Sequence, residues 1–145
     1  MSDDMIARLS AQMPPFARSM GIQVDHLADG VPVLAMNFSE RVLGRPGFVH
    51  GGALAGLLET AAIIALRYDL GAEGETLRFK PVNISVEFLR GGTMVQTFAQ
   101  GQVIRAGRRI ANVRADAWQA SRDKPVASCW MNFLLKPKQA YTNLQ

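Results

Sequence analysis

From Ala53 to Leu66 only Glu59 and Thr60 are polar. Read as a helix, the segment is apolar on every side instead of along one stripe. Such a helix buries most of its circumference. Whatever the rest of the chain forms must therefore wrap around it, and within that wrapping sits one carboxylate. Taking a carboxylate out of water costs several kcal/mol unless something compensates. Glu59 is therefore the first candidate for chemistry.

The flanking segments supply the wrapping. Residues 3–12 read as a short amphipathic helix stopped by Pro14-Pro15, with a further turn at 16–20. Residues 22–27 and 31–38 read as strands joined at Asp29-Gly30, a hairpin signal. A Gly/Pro-containing loop covers 39–49. The helix starts near Gly51 and runs to Asp69, with Gly71 and Gly74 ending it. Residues 82–89 alternate, with Val82, Ile84, Val86 and Phe88 on one face. Residues 94–106, 109–120 and 126–136 complete four strands, read as an antiparallel meander.

The chain's 145 residues suggest one domain, 1–145, with no linker or repeat, and 48% hydrophobic and 19% charged residues suffice for a core. The net charge of +4 suits an anionic small ligand. No Lys/Arg block and only 8% aromatics argue against nucleic acid as a partner. The acidic-first N-terminus is no signal peptide, and the apolar run is too short to span a bilayer, so no membrane partner is expected. One cysteine, Cys129, forms no internal disulfide, which fits the cytoplasm. With only two histidines beside it, a protein-only zinc site is not expected.

Two glycines follow His50. Glycine lets backbone N–H groups approach a ligand closely, and the first N–H groups of a helix lack internal partners. Gly51 N–H is the candidate oxyanion donor, with Gly52 beside it. Glu59 is either a general base activating water or a nucleophile attacking a carbonyl. Eight residues of helix separate Gly51 from Glu59, a rise of roughly 12 Å. One reacting carbonyl needs both groups at about 3 Å. The donor and the carboxylate of a common site thus come from two chains of a twofold dimer. His50 lies on another helix face from Glu59, which excludes a direct dyad within one chain and leaves it an orienting role, a donor's or a base's.

The run Gly47-Phe-Val-His-Gly-Gly52, with Glu59 nine positions after His50, resembles the PaaI-type (phenylacetyl-CoA thioesterase-like) hotdog family. Ile84-Ser-Val-Glu-Phe-Leu-Arg-Gly-Gly92 resembles that family's third strand, and Gly107-Arg-Arg-Ile110 its hairpin. The resemblance implies an α+β hotdog fold, an antiparallel sheet wrapped around a long central buried helix. It implies an acyl-CoA thioesterase releasing a free acid and CoA, with no cofactor beyond the coenzyme A of the substrate. It also implies a homodimer or dimer of dimers. Many members carry Asn or Gln six residues before the His; here that position is Gly44, with Asn83 or Ser85 as candidate substitutes. Arg90, Arg105, Arg108 and Arg109 are either solvated edge groups or partners for CoA phosphates. Thr60 either contacts substrate or bonds back along the helix. The competing readings are a noncatalytic acyl-CoA binder, favoured by Gly44, and a hotdog enoyl-CoA hydratase/dehydratase, disfavoured by the His–Glu spacing.

Overall fold

The structure is a computed structural model that describes residues 2–138. Helices α1 (Ser2–Ala11) and α2 (Pro15–Ser19) lead into strands β1 (Ile22–Ala28) and β2 (Val31–Met36). A 3-10 turn at Glu40–Val42 precedes the long helix α3 (Gly51–Gly74), followed by β3 (Leu77–Phe88), β4 (Thr97–Ala106), β5 (Ile110–Trp118) and β6 (Ala127–Pro137). The strands form one antiparallel sheet in the order β1-β2-β4-β5-β6-β3. The sheet curls around α3, and the hotdog architecture is the one observed. No described helix is long and apolar enough to cross a membrane.

The core forms where α3 meets the sheet. Leu54, Leu57, Leu58, Ala61, Ala62 and Ala65 are buried against Leu34, Met36, Ala99, Val113, Met131 and Phe133. The closest approach is to β4. A Cβ at Gly101 would stand 2.7 Å from both the Ala61 carbonyl oxygen and the Ala65 Cβ. Small residues on both elements thus let the helix axis shift toward β4. That shift leaves the inner face of β3 thinly covered, and Val82, Ile84 and Phe88 are exposed there.

Two expectations are corrected. The four C-terminal strands do not form a meander: β4, β5 and β6 do, but β3 pairs with β6 at the far edge of the sheet. The chain reaches β4 from β3 by crossing the sheet end through residues 89–96. These residues are not strand, which is why β4 starts at Thr97 instead of Met94. Gln119 pins the crossing: its Oε1 accepts from Thr93 N at 3.0 Å, and its Nε2 donates to Thr93 O and Thr97 Oγ1. The helix also continues beyond Asp69. Gly71 adopts φ 58, ψ −133, a non-helical conformation that kinks the chain, and helical geometry then resumes as far as Gly74. Only glycine takes that conformation without strain.

Candidate active site

The loop before α3 is held at three points. Val49 N donates to Gly92 O at 2.8 Å, His50 N to Val42 O at 2.7 Å, and Gly44 N to Phe48 O at 2.9 Å. These bonds fix His50 as the N-cap of α3. Its backbone is extended, and its Nδ1 accepts from Gly52 N at 2.8 Å. The imidazole thus does the work that Ser or Asp does at most helix starts. An accepting Nδ1 carries no proton, so in the neutral ring the proton is on Nε2.

The glycines around His50 are packing requirements. A Cβ at Gly44 would lie 2.9 Å from His50 Cα, and one at Gly52 would lie 2.9 Å from the imidazole Cε1 and Nδ1. A Cβ at Gly51 would lie 3.3 Å from the Phe88 ring. The backbone next to His50 thus leaves no room for a side chain at 44.

The first turn distributes its donors unevenly. Gly52 N–H is taken by His50 Nδ1, and Ala53 and Leu54 N–H both go to His50 O. Gly51 N–H makes no hydrogen bond to any described residue. It opens onto a cavity of about 510 Å³ whose wall includes His50, Leu54, Phe88 and Arg90. The positive end of the helix dipole points the same way. The arrangement supplies one free N–H donor in a partly apolar cleft, suited to an oxygen that gains negative charge.

Glu59 is not in that cleft. It lies two turns along α3, half-buried, on the stripe Gly52–Ala55–Glu59–Ile63–Arg67 that faces the thinly covered inner side of β3. It makes no ion pair with a described residue. Its charge reaches Cys129 on β6. Burial pushes that thiol up to about 11, and the charges of Asp116 and Glu59 push the same way against a backbone hydrogen bond at Ala115 and the charge of Arg114.

The other sequence candidates divide. Arg90 lines the cleft at Gly51, and its Nε donates to Pro125 O at 3.1 Å. Arg105, Arg108 and Arg109 are exposed around the β4–β5 hairpin at the opposite end of the sheet. One chain therefore does not bring all four arginines together. Thr60 is 5% exposed and its hydroxyl donates to Gly56 O at 2.7 Å, the back-bonded arrangement along the helix. Within one chain, Asn83 and Ser85 lie apart from Gly44. They lie opposite Asn132 and Trp130 on the sheet face away from α3. There Asn83 Oδ1 accepts from Asn132 Nδ2, which in turn sits beside a bond from Asn112 to Asn132 Oδ1. His26 pairs with Asp25 on exposed β1.

Sequence reasoning missed Arg45 and the role of Phe88. Arg45 stacks 4.2 Å over the Phe48 ring at the mouth of the cleft. Its signal was a cation beside Pro46 in the Gly/Pro loop before His50. Phe88 alternated like a core residue, but it is 58% exposed and walls the cleft against Gly51.

Comparison with known proteins places this geometry. Residues 46–126, which carry the end of the loop, α3 and strands β3, β4 and β5, match the thioesterase superfamily model. The medium/long-chain acyl-CoA thioesterase YigI of Salmonella typhimurium is 25% identical over 114 residues, covering 70% of this chain and 74% of that protein. A solved protein from Chromobacterium violaceum is 31% identical with TM-score 0.69, covering 99% of this chain and 93% of its own. The fold is also shared with a Haemophilus influenzae thioesterase (18% identity, TM-score 0.83, 95% and 94% coverage). A mutant form of the phenylacetic acid degradation protein PaaI from Thermus thermophilus shares it too (24% identity, TM-score 0.70, 83% and 98% coverage). With more than half its length matched by the family model, around the same loop and helix that build the cleft, the chain belongs to the thioesterase superfamily and is a thioester hydrolase.

Proposed function

We propose that the chain hydrolyses acyl-CoA thioesters at sites shared between two copies of itself. The observation that carries this reading is the state of the first turn of α3: of its N–H groups, only Gly51's has no partner among the described residues, and it lies at a cleft whose lining includes no acid. Glu59 supplies the acid from the partner chain. The β3 edge supports such pairing. It is a twelve-residue strand with no neighbour on its outer side among the described residues, and Val82, Ile84 and Phe88 lie exposed beside it. An open apolar edge of that length favours antiparallel addition of a second β3.

In the base form of the reaction, Glu59 takes a proton from water as the oxygen attacks the thioester carbon. Gly51 N–H holds the oxyanion, the C–S bond breaks, and CoA leaves as a thiolate that is then protonated. In the nucleophile form, a Glu59 oxygen attacks first, expels the thiolate and forms a mixed anhydride that water opens. Label in the Glu59 carboxylate after one turnover in H2 18O identifies the nucleophile form, in which water opens the anhydride at the Glu59 carbonyl. His50 orients Gly51 by capping the helix. The reading needs no metal or cofactor besides the CoA of the substrate. A medium or long acyl chain follows the relative with that name, and the unpaired Cys129 suits a cytoplasmic setting.

Gly44 favours one other reading, an acyl-CoA binder without turnover, since no side chain there can position water. A thioester panel assayed by thiol release decides. Turnover that Glu59→Gln removes while the fold persists supports hydrolysis. Turnover that survives Glu59→Gln overturns the mechanism, and CoA-analogue binding without thiol release favours the binder. Loss of the conjugated enoyl absorbance of an enoyl-CoA without thiol release would point to the hydratase alternative.

A further inference from the structure

If Glu59 serves the partner's Gly51, as the two-chain hydrolytic reading holds, the twofold axis passes α3 midway between these positions, at Ala55. Helix α3 and strand β3 run antiparallel. At one end a Cβ on Gly51 would lie 3.3 Å from the Phe88 ring, and at the other the Arg67 guanidinium lies 5.1 Å over the Phe79 ring. The four residues from Gly51 to Ala55 rise roughly 6 Å, about two residues of strand. Two β3 strands paired across that axis therefore meet near Val86, well past the middle of the strand.

Two features of β3 suit this register. Phe88 falls opposite the partner's Ile84, so side chains that are exposed in one chain cover each other. The ladder to β6 shifts between Pro81 and Asn83, and Pro81 has no N–H to give. Continuous pairing is thus confined to the residues after that bulge. A register centred on the middle of the strand, near Val82, would put both defects on the axis.

With the axis near Val86, the first half of each β3 runs on past the end of the partner's strand, toward the partner's Arg90. Arg78 and Lys80 lie exposed on that half. Arg45 and Arg90, also exposed, line the Gly51 cleft. None of the four is ion-paired among the described residues. Residues 42–52, 78–81 and 89–96 contain no Asp or Glu, so the second chain brings cations to cations at this rim. An anion of several charges relieves their repulsion, and guanidinium groups suit phosphate. We propose that Arg45 and Arg90 of one chain, with Arg78 and Lys80 of the other, form a composite site for the phosphates of coenzyme A. This rim selects the carrier and not the acyl group. Arg105, Arg108 and Arg109, on a hairpin whose nearer strand is two strands in from the β3 edge, take no part.

The test compares octanoyl-CoA with octanoyl-pantetheine, which lacks the phosphates, by thiol release. Arg78→Gln/Lys80→Gln and Arg45→Gln/Arg90→Gln each lower the ratio of kcat/KM for the CoA ester to that for the pantetheine ester about tenfold. Added salt lowers the wild-type ratio too. Mixed dimers show which chain supplies which pair. When one chain carries Glu59→Gln, the only working site takes Glu59, Arg78 and Lys80 from the other chain. Arg78→Gln/Lys80→Gln on that other chain removes the preference for the CoA ester, whereas Arg45→Gln/Arg90→Gln on it preserves the preference. On mild oxidation, Val86→Cys cross-links two chains faster than Val82→Cys. The proposal is overturned by a ratio indifferent to Arg78 and Lys80, by the reverse pattern in the mixed dimers, or by faster cross-linking at Val82→Cys. A wild-type chain that releases thiol from neither ester overturns the hydrolytic reading itself, and this site with it.

Discussion

The two ends of α3 are built on opposite plans. At the N-terminal end His50, Gly44, Gly51 and Gly52 are packed so closely that a methyl group at any of the three glycines meets a neighbour at 3.3 Å or less. At the C-terminal end Gly71 has nothing within 4 Å of where its Cβ would be, and its need for glycine comes from its backbone angles alone. The first plan fixes a donor in place without reorganisation, which is what stabilising a developing charge requires. The second leaves room between helices, and Arg67 there has no ion-pair partner among the described residues. Glu59 lies between the two, on the side that a second chain would cover.

The largest effect expected from probing this contrast lies at the middle of the helix. Glu59→Gln should lower kcat on an acyl-CoA by about 10³-fold, within the usual range for a positioned acid or base. Its melting temperature should stay within a degree or two of wild type. A melting temperature that falls with activity would make Glu59 a structural residue and remove the division between ends and middle.

Glycine substitutions separate the ends directly. Gly44→Ala and Gly71→Ala should each cost about 1–3 kcal/mol in denaturant unfolding, the first by overpacking and the second by backbone strain. Only Gly44→Ala should also lower kcat, because only its clash is with the residue that positions Gly51. Equal losses of kcat in both would show that the two ends are coupled.

The buried thiol reports on the shared core. Its folded-state pKa of about 11 is raised above that of a free thiol. An unfolded chain therefore ionises first as pH rises. Cys129 should contribute full stability below about pH 9 and lose it as pH climbs toward 11, on the order of 2 kcal/mol. Cys129→Ala, compared by unfolding at pH 8 and pH 10.5, should flatten that fall. An unchanged slope would assign the pH dependence to other groups.

The smallest effect should come from the cap. His50→Ala should cost about 1 kcal/mol by losing the acceptor for Gly52 N–H, and His50→Asn should restore it, since Asn is a strong N-cap. If Asn restores stability but not kcat, His50 does more than hold the helix.

Much of the fold was legible in the residues. The all-round apolar helix required wrapping, the alternation of 82–88 and 110–117 gave strands, and Asp29-Gly30 gave the hairpin. The place of β3 was not legible, because period-two alternation reports which face a residue takes and not which strand lies beside it. It is set by the pairing of β3 with β6 along its whole length, a long-range contact between residues about fifty apart in the chain. In the candidate site, the run His50-Gly51-Gly52 and the isolation of Glu59 were visible as chemistry. Thr60, Asn83 and Ser85 could not be sorted from sequence, since their roles turn on a back-bond and on which face of the sheet they occupy.

By itself the sequence determined that a carboxylate would sit in a buried helix two turns from a glycine-rich start, because spacing along a helix fixes distance and direction. Only the tertiary structure decided which N–H stays free. Hydrogen bonds from Gly52, Ala53 and Leu54 to His50 use up the other donors, and that depends on how the loop from Val42 to Val49 folds back on the sheet end. The structure likewise decided that position 44 must be glycine, because the space a side chain would take is already filled by the backbone of His50.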